Sequence, residues 1–323
     1  MPLKLHFLNV GHGDCTFIEF PSGRLMMVDI NNSKSLSQDD VEALTETLGN
    51  RVLAKSVRDW EEYYKSFLED PYEYYKANFA GRSVFRYVQT HPDMDHMSGL
   101  HRFFWEEEVG LVNFWDVDHA KELSEESFQY GPYAYVDWLV YQLLRSGNGP
   151  KDASGNFTEQ KVIQATRDDS QSYWDEDGIK ILSPTPELVS GCNESGDFND
   201  CSYVLAIDYA GRRIILPGDA ESPTWRSILD HYDPADLKCD ILKAAHHGRY
   251  SGYHKEAVGT MDPSTVICSV GKKPSTDASA EYAKVADNVF STRYHGTITV
   301  TVWHDGDIWV HDRNGKRIAT MEG

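Results

Sequence analysis

Short apolar runs separated by turn residues dominate both ends of this sequence. Residues 3–10 and 15–20 are predicted strands on either side of the turn Gly11–Asp14, and residues 25–30 form a third apolar run after Gly23. Further strands are predicted at residues 84–90, 179–182, 203–209, 213–216, 240–244, 265–270, 297–303 and 307–311. Strands at both ends, with helical segments between them, predict a layered α/β protein with one interrupted core.

Helical periodicity marks several of the intervals between these strands. Residues 133–145 and 276–288 are predicted helices, the second with Thr276 as its N-cap. An earlier segment carries an aromatic stripe at the spacing of one helix face, formed by Trp60, Tyr63, Tyr64, Phe67 and Leu68. This stripe is either a packing face, a lid or stacking platform over a binding site, or a contact between copies of the chain.

The chain contains no internal repeat and no low-complexity tract. A length of 323 residues allows one large domain or two small ones, and either can bury a full core. We expect a single domain over residues 1–323, interrupted by helical insertions at about 33–82 and 120–160.

One segment concentrates side chains that bind metals. His91, Asp93, Asp95 and His96 lie within six residues, directly after an apolar strand. Pro92 is incompatible with the interior of a central strand, so the segment is expected to form the loop at the end of that strand, where scaffolds hold catalytic groups. Imidazole and carboxylate ligands together suit Zn, Mn or Fe. The alternative is a solvated polar turn.

Asp or His side chains also follow three other predicted strands. Asp29 ends one apolar run, Asp219 follows another, and His246 and His247 follow a third. Each of these alone is typical of a turn residue, but four strands that end in this way would meet at a common sheet edge. Such an edge could hold two metal ions about 3.5–4 Å apart.

The segment HPDMDH, His91–His96, resembles the HxHxDH signature of the metallo-β-lactamase fold, with Asp93 in the place of the second His. The HxDxDH variant is similar to that of ComEC-type competence hydrolase domains and of the bacterial phosphorylcholine esterase. Six further segments resemble ComEC-type motifs in the same order along the chain, namely FLNVGHGDCTFIEFPSGRLMMVDINN, NDCSYVL, LPGDAE, LKAAHHGRYSG, ICSVGKK and GTITVTVW. The matched regions cover about half of the chain.

The resemblance implies an α/β fold of the αββα metallo-β-lactamase type, with helical insertions and a two-metal hydrolytic site. The implied ligands of the two divalent ions, Zn or Mn, are His91 and Asp93 for one, Asp95, His96 and His247 for the other, and Asp219 as a bridge between both. Asp95 and Asp219 are thereby the carboxylates on which catalysis depends. Asp29 would orient the loop that carries the ligands.

Residues beside these ligands are candidates for substrate contact. In the esterase-like pattern His246 faces the phosphate, where it polarises the phosphate or protonates the leaving group; the alternative is a hydrogen-bond partner of the ligands. His12 lies in the first turn, next to the expected site. Arg249 stands where the family has a serine, and it either binds a phosphate bidentately or lies at the surface.

Two further departures from the family pattern concern the first ion and the leaving group. No His lies between residues 120 and 230, so the family's third imidazole for the first ion is missing. Asn199, Asp200, Ser202 or a water molecule would complete that shell. The family's GHPS segment is replaced by Lys272–Ser275, which lacks the His.

Net charge limits how a nucleic acid could bind. The chain carries 31 Lys and Arg against 51 Asp and Glu, a net charge of −20, which argues against a broad basic surface. Residues 101–130 (two basic, eight acidic) and 165–200 (two basic, nine acidic) supply −13 of this charge. Residues 238–273, in contrast, carry six basic and three acidic side chains. The distribution favours a substrate held locally at the metal edge.

Composition indicates the cellular compartment in which the protein is expected. No run approaches the roughly 20 apolar residues of a membrane span, and the N-terminus does not resemble a signal peptide. The five Cys residues are unclustered, which argues against a disulfide framework or a thiolate zinc site. We therefore expect a cytoplasmic protein that does not bind membranes.

Together these features predict a metal-dependent phosphodiester hydrolase, in first place a nuclease acting on DNA or RNA through two metal ions. One alternative is a small-molecule or cyclic-nucleotide phosphodiesterase. Another is a regulatory or binding subunit of a multi-protein assembly. The expected partner is a phosphodiester substrate, nucleic acid in the first interpretation, and the helical insertions could contact another protein or a second copy of the chain.

Overall fold

A computed structural model describes residues 1–32, 65–151, 154, 156–269 and 276–323. Lys272–Ser275 and the stripe residues Trp60, Tyr63 and Tyr64 lie outside the described residues, as does much of the insertion expected at 33–82. The single-domain boundary therefore stays a prediction. Within the described part, apolar side chains of two β-sheets form a shared core between the sheets, and helices cover the outer faces.

The first sheet contains strands from both ends of the chain. Its strands lie in the order β17 (Arg317–Met321), β16 (Ile308–His311), β15 (Ile298–Val302), β1 (Leu3–Phe7), β2 (Thr16–Glu19), β3 (Leu25–Val28), β4 (Val84–Val88), β5 (Leu111–Trp115) and β8 (Lys161–Ile163). The pairs from β3 to β8 are parallel, so the loops after β3 and β4 adjoin at one edge. Met26 and Val28 face the core between the sheets, whereas Leu25 and Met27 face the helices. Burial on both faces explains why β3 is apolar throughout.

The second sheet lies across the shared core from the first. Its strands lie in the order β14 (Asn288–Ser291), β13 (Thr265–Cys268), β12 (Ile241–Lys243), β11 (Arg212–Leu216), β10 (Val204–Tyr209) and β9 (Ile179–Ser183), and a separate hairpin pairs β6 (Asn148–Lys151) with β7 (Phe157–Glu159). Strands β11, β12, β13 and β14 are parallel, so the loops after β11 and β12 also adjoin.

Helices cover the outer face of each sheet. The α-helices are α1 (Pro71–Asn78), α2 (Tyr135–Arg145), α3 (Ser172–Asp175), α4 (Pro186–Ser195), α5 (Ser222–His231), α6 (Lys255–Met261), α7 (Ser279–Tyr282) and α8 (Thr292–His295). Helices α1 and α2 pack on the first sheet through Tyr75 and Trp138, and α5 and α6 pack on the second through Trp225 and Met261. The αββα class is therefore confirmed.

The described residues also form five 3₁₀ turns and one π-helical segment. The 3₁₀ turns are Met94–His96, Glu125–Phe128, Phe198–Cys201, Pro234–Leu237 and Ala245–Gly248, and the π-helical segment is His101–Glu106. In the part of the chain that the structure covers, no helix has both the length and the apolar character needed to cross a membrane.

Comparison with the predicted elements shows where tertiary contacts override local sequence. The helix predicted at 133–145 is confirmed as α2, which begins two residues later. The helix predicted at about 276–288 is confirmed only in part: helix α7 covers Ser279–Tyr282, its N-cap is Ala278 and not Thr276, and β14 begins at Asn288, which pairs in parallel with β13. Strand β5 was not predicted, since its apolar residues lie inside a strongly acidic stretch.

Candidate metal centre

The ends of four strands from the two sheets meet at one place. From the first sheet come Asp29, directly after β3, and the turn Met94–His96, after β4. From the second sheet come Asp219, after β11, and the turn Ala245–Gly248, after β12. The contacts described below join these four loops to one another.

Asp29 organises the loop after β4. Its Oδ1 accepts a hydrogen bond from the Thr90 backbone N–H (2.8 Å), and its Oδ2 accepts one from Thr90 Oγ1 (2.7 Å) and lies 2.8 Å from His96 Nδ1. Because the Thr90 hydroxyl donates to Asp29, its oxygen is left to accept from His91 Nδ1, 3.0 Å away. Both Nδ1 atoms then carry protons, so the buried Nε2 of His91 presents a lone pair, and the buried Nε2 of His96 would present one once a metal ion displaced its proton.

His247 also has a carboxylate beside its Nδ1, on the side of the ring away from Asp95 and Asp219. Its Nδ1 lies 3.6 Å from Asp14 Oδ1, and Asp14 forms a buried ion pair with Lys243 (Oδ2–Nζ 2.5 Å). Its Nε2 lies 3.3 Å from Oδ2 of Asp95 and 3.3 Å from Oδ2 of Asp219. Asp14 and Lys243 were not among the predicted site residues, although both lie in segments that carry the resemblance.

Three side chains, those of His96, Asp219 and His247, have the spacing of a metal coordination shell. Asp219 Oδ2 lies 3.3 Å from Nε2 of His96 and 3.3 Å from Nε2 of His247, and Asp95 Oδ2 lies 3.3 Å from Nε2 of His247. A tetrahedral site with metal–ligand bonds of about 2.0–2.1 Å separates its ligand atoms by about 3.3–3.4 Å. Two groups have ligand atoms within 4.8 Å of one another, Asp14, His96, Asp219 and His247 in one, and His12, Asp95 and His247 in the other. The residues therefore fit a divalent ion.

The pair His91 and Asp93 is less complete. His91 Nε2 lies 3.8 Å from Asp93 Oδ2, while the other carboxylate oxygen of Asp93 is in direct contact with the ammonium group of Lys121. In the described part of the chain, neither His91 nor Asp93 belongs to a group of three or more converging ligand atoms. Lys121 was not among the predicted site residues. Its position could not be read from the sequence, because no motif or spacing relates it to His91–His96.

Opposite charges at the centre stabilise one another despite burial. Burial raises the pKa of Asp219, but the neighbouring imidazoles of His247 and His96 outweigh this effect and hold that pKa well below its usual value. Burial lowers the pKa of His247, but Asp219 and Asp14 outweigh it and raise the pKa to about 9. Protons on these imidazoles thus balance the carboxylates, and a divalent ion would bind in competition with those protons.

His246 lies at the mouth of the centre with a carboxylate behind it. Its Nδ1 is 2.8 Å from Glu221 Oε1 and 2.8 Å from Ser251 Oγ, and its Nε2 is 3.6 Å from Asp219 Oδ2. His246 and His247 both have left-handed backbone conformations, with φ of 47° and 58°. Glu221 was not predicted, although it lies in the segment LPGDAE two residues after Asp219.

Arg249 joins two histidines at the same mouth. Its Nη2 donates to His12 Nε2 (2.9 Å), and its Nη1 lies 3.4 Å from His246 Nε2. Burial, followed by the charge on His247, lowers the pKa of His12 to about 4, so His12 is neutral and accepts this hydrogen bond. His12 Nε2 also lies 3.5 Å from Asp95 Oδ2. The structure thus brings the predicted residues His12 and Arg249 to the centre.

The residues considered as replacements for the missing imidazole have other contacts. Ser202 is buried, and its Oγ accepts a hydrogen bond from the Asp219 backbone N–H (3.3 Å). Among the described residues, Asp200 is in neither converging group. Asn199 is half-buried beside Glu221, and its hydrogen bond is one cause of the lowered pKa of that carboxyl, after the larger contribution of His246. Ser202 therefore positions Asp219 through its backbone.

Part of the chain is similar in sequence to a known protein. No family model matches the chain. ComE operon protein 3 from Bacillus subtilis (strain 168) is 27% identical over 127 residues, which are 38% of this chain and 16% of that protein. The chain thus spans about a sixth of the length of the curated relative that it matches, and the ComEC-like subgroup stays a prediction.

Two solved structures are similar in fold. A metallo hydrolase from the archaeon Ignicoccus hospitalis aligns over 92% of this chain and 98% of its own, with 14% identity and a TM-score of 0.49. The metallo-β-lactamase fold protein YhfI from Bacillus subtilis aligns over 96% and 100%, with 12% identity and a TM-score of 0.42. The assignment of the αββα class rests on the sheets and helices described above.

Proposed function

We propose that this protein is a metal-dependent hydrolase that cleaves phosphodiesters, with nucleic acid as its substrate. The observation that carries the proposal is the convergence of Asp219 with His96 and His247, whose buried Nε2 atoms are unpartnered and whose Nδ1 atoms face carboxylates. A divalent ion held there would polarise a phosphoryl oxygen and lower the pKa of a water molecule.

His246 is suited to move a proton at the leaving group. Glu221 lies against its Nδ1 and orients the ring, so that Nε2 faces the centre, 3.6 Å from Asp219 Oδ2. The left-handed backbone of His246 brings this ring to the mouth, while the ring of the next residue, His247, is buried among the ligands. We assign to His246 the protonation of the leaving oxygen.

Arg249 supports a phosphate as the substrate group. Its guanidinium lies at the mouth between His12 and His246, and guanidinium groups bind phosphate through paired, charge-assisted hydrogen bonds. This positive charge is local, on a chain of net charge −20, so a nucleic acid would be held at the centre and not along an extended surface.

The test compares substrates in parallel on one metal-loaded preparation. Single-stranded DNA, double-stranded DNA, RNA and bis-p-nitrophenyl phosphate are incubated with the wild type, with Asp219→Ala and with the exposed control Asp287→Ala. We expect cleavage of a nucleic acid by the wild type and by Asp287→Ala, and none by Asp219→Ala or in chelator.

Two results would contradict the proposal at different levels. Cleavage of the small diester alone would move the substrate from nucleic acid to small molecules. Undiminished cleavage by Asp219→Ala in chelator would exclude the metal-dependent mechanism altogether.

A further inference from the structure

We propose that this chain binds one divalent ion tightly, at His96, Asp219 and His247, and that the ammonium group of Lys121 takes the place of a second ion beside Asp93. This inference rests on the proposed function, since it concerns the same centre. It differs from the two-ion centre that the family resemblance implies.

The position of Lys121 is fixed by contacts around it. Its Nζ is in contact with Asp93 Oδ1 and lies 5.4 Å from the centre of the Phe198 ring. Its backbone N–H donates to Nδ1 of the buried His119 (2.9 Å), whose Nε2 lies 2.5 Å from the Tyr141 hydroxyl. The ammonium group is therefore held at Asp93 by the surrounding fold.

The ligand count at Asp93 is too small for a second tight ion. A catalytic zinc site takes three protein ligands, whereas His91 and Asp93 supply two atoms 3.8 Å apart. Neither residue converges with a third ligand among the described residues. A divalent ion entering here would also face the ammonium charge directly bound to Asp93, which it would have to displace.

The remaining side chain, His91, then has a different role. Its Nε2 is buried and unpartnered, and its ring lies 4.2 Å from that of His96. Its Nδ1 donates a hydrogen bond to Thr90 Oγ1 (3.0 Å), which leaves the lone pair on Nε2. This lone pair is available to accept a hydrogen bond from the attacking water molecule.

The experiment is metal stoichiometry, measured by isothermal titration with Zn²⁺ and with Mn²⁺ and by elemental analysis of the dialysed full chain. The variants are His91→Ala, His96→Ala and Lys121→Met, with the exposed Lys284→Met as a matched control. Thermal melts establish that each variant is folded. We expect one tight ion per chain in the wild type, in His91→Ala and in Lys284→Met.

The variants distinguish the ligands of the tight ion from the pair His91 and Asp93. His96→Ala should weaken binding of the single ion at least 100-fold, and Lys121→Met should gain a second, weaker binding event because Asp93 is released. Two tight ions in the wild type, an equal loss in His91→Ala and His96→Ala, or a Lys121→Met variant that gains no second event would each overturn the inference. Absence of any tight ion in the folded wild type would instead refute the proposed function itself.

Discussion

The two sheets hold their parts of the centre by different means. On the first sheet, the Asp29 carboxylate collects three hydrogen-bond contacts and orients two imidazoles through them. On the second sheet, backbone conformation orients the side chains: His246 and His247 have left-handed conformations, and Gly218 has a φ of 55°. A Cβ at Gly252 would lie 2.5 Å from the Ala245 carbonyl oxygen, closer than any side chain can approach.

Because the two sheets hold their residues differently, substitutions on each sheet should have different effects. A hydrogen-bonded network loses one contact at a time, so substitutions on the first sheet should weaken metal binding in steps while the fold persists. A backbone held in close contact has no intermediate state, because an added side chain must displace the whole turn. Substitutions on the second sheet should therefore affect stability and the centre together.

The largest loss of metal affinity is expected at Asp219, which contacts ligands from both sheets. Asp219→Asn removes the charge from the carboxylate whose Oδ2 lies 3.3 Å from both His96 and His247. We expect the affinity for Zn²⁺ to fall by more than about 100-fold, beyond the range of an indirect effect, and hydrolysis to be lost. Titration calorimetry measures this, with Asp287→Asn as the exposed control; tight binding by Asp219→Asn would mean that the ion lies elsewhere.

Gly252→Ala tests the backbone mechanism of the second sheet. The added methyl group overlaps the Ala245 carbonyl, so we expect unfolding free energy to fall by about 1–3 kcal/mol and hydrolysis to fall with it. Guanidinium denaturation measures the change. The control is Gly191→Ala in helix α4, where no atom lies within 4 Å of the new methyl group. Equal stability of the two variants would argue against close packing at Gly252.

Asp29→Asn tests the hydrogen-bonded mechanism of the first sheet. Asn has the shape of Asp and tolerates the left-handed backbone at this position, where φ is 55°. It replaces one acceptor of His96 Nδ1–H by a weaker or mismatched group, and we expect metal affinity to fall about 10–100-fold with the melting temperature little changed. A collapse of the fold, or an unchanged affinity, would contradict a network that loosens in steps.

The smallest effect is expected at Ser202. Ser202→Ala removes the hydroxyl that accepts from the Asp219 backbone N–H (3.3 Å), and a single hydrogen bond of this kind contributes about 0.5–1.5 kcal/mol. We expect a metal affinity within about tenfold of the wild type, measured in the same titration. An effect as large as that of Asp219→Asn would make Ser202 a ligand, as one sequence alternative had it.

The centre could be predicted from the sequence only where its residues stand in recognisable segments. Asp29, His91–His96 and Asp219 follow apolar strands, and a strand end is visible as a change in residue pattern. Lys121, inside an acidic stretch, has no such signal, and Asp14 and Lys243 lie in matched segments but do not follow a strand. Their roles depend on contacts between segments that are far apart in the sequence, such as the buried ion pair that joins the first turn to strand β12.

Prediction of the core strands from sequence has the same limit. Alternation in β3 is hidden because both of its faces are buried, and the sequence of β5 is masked by the acidic residues that precede and follow it. The strand ends of the matched motifs were nevertheless predicted within one or two residues, except that of β1, which ends at Phe7 and not at residue 10.

The ligands of the proposed tight ion come from both layers: His96 from the first sheet, Asp219 and His247 from the second. An ion bound there is a cross-link between two sheets whose shared core consists of apolar side chains. Folding and metal uptake are then linked equilibria, and free metal at 100 times its dissociation constant would add about 2.7 kcal/mol to the stability of the sandwich. The metal supply of the cell would thus govern the lifetime of the folded protein as well as its chemistry.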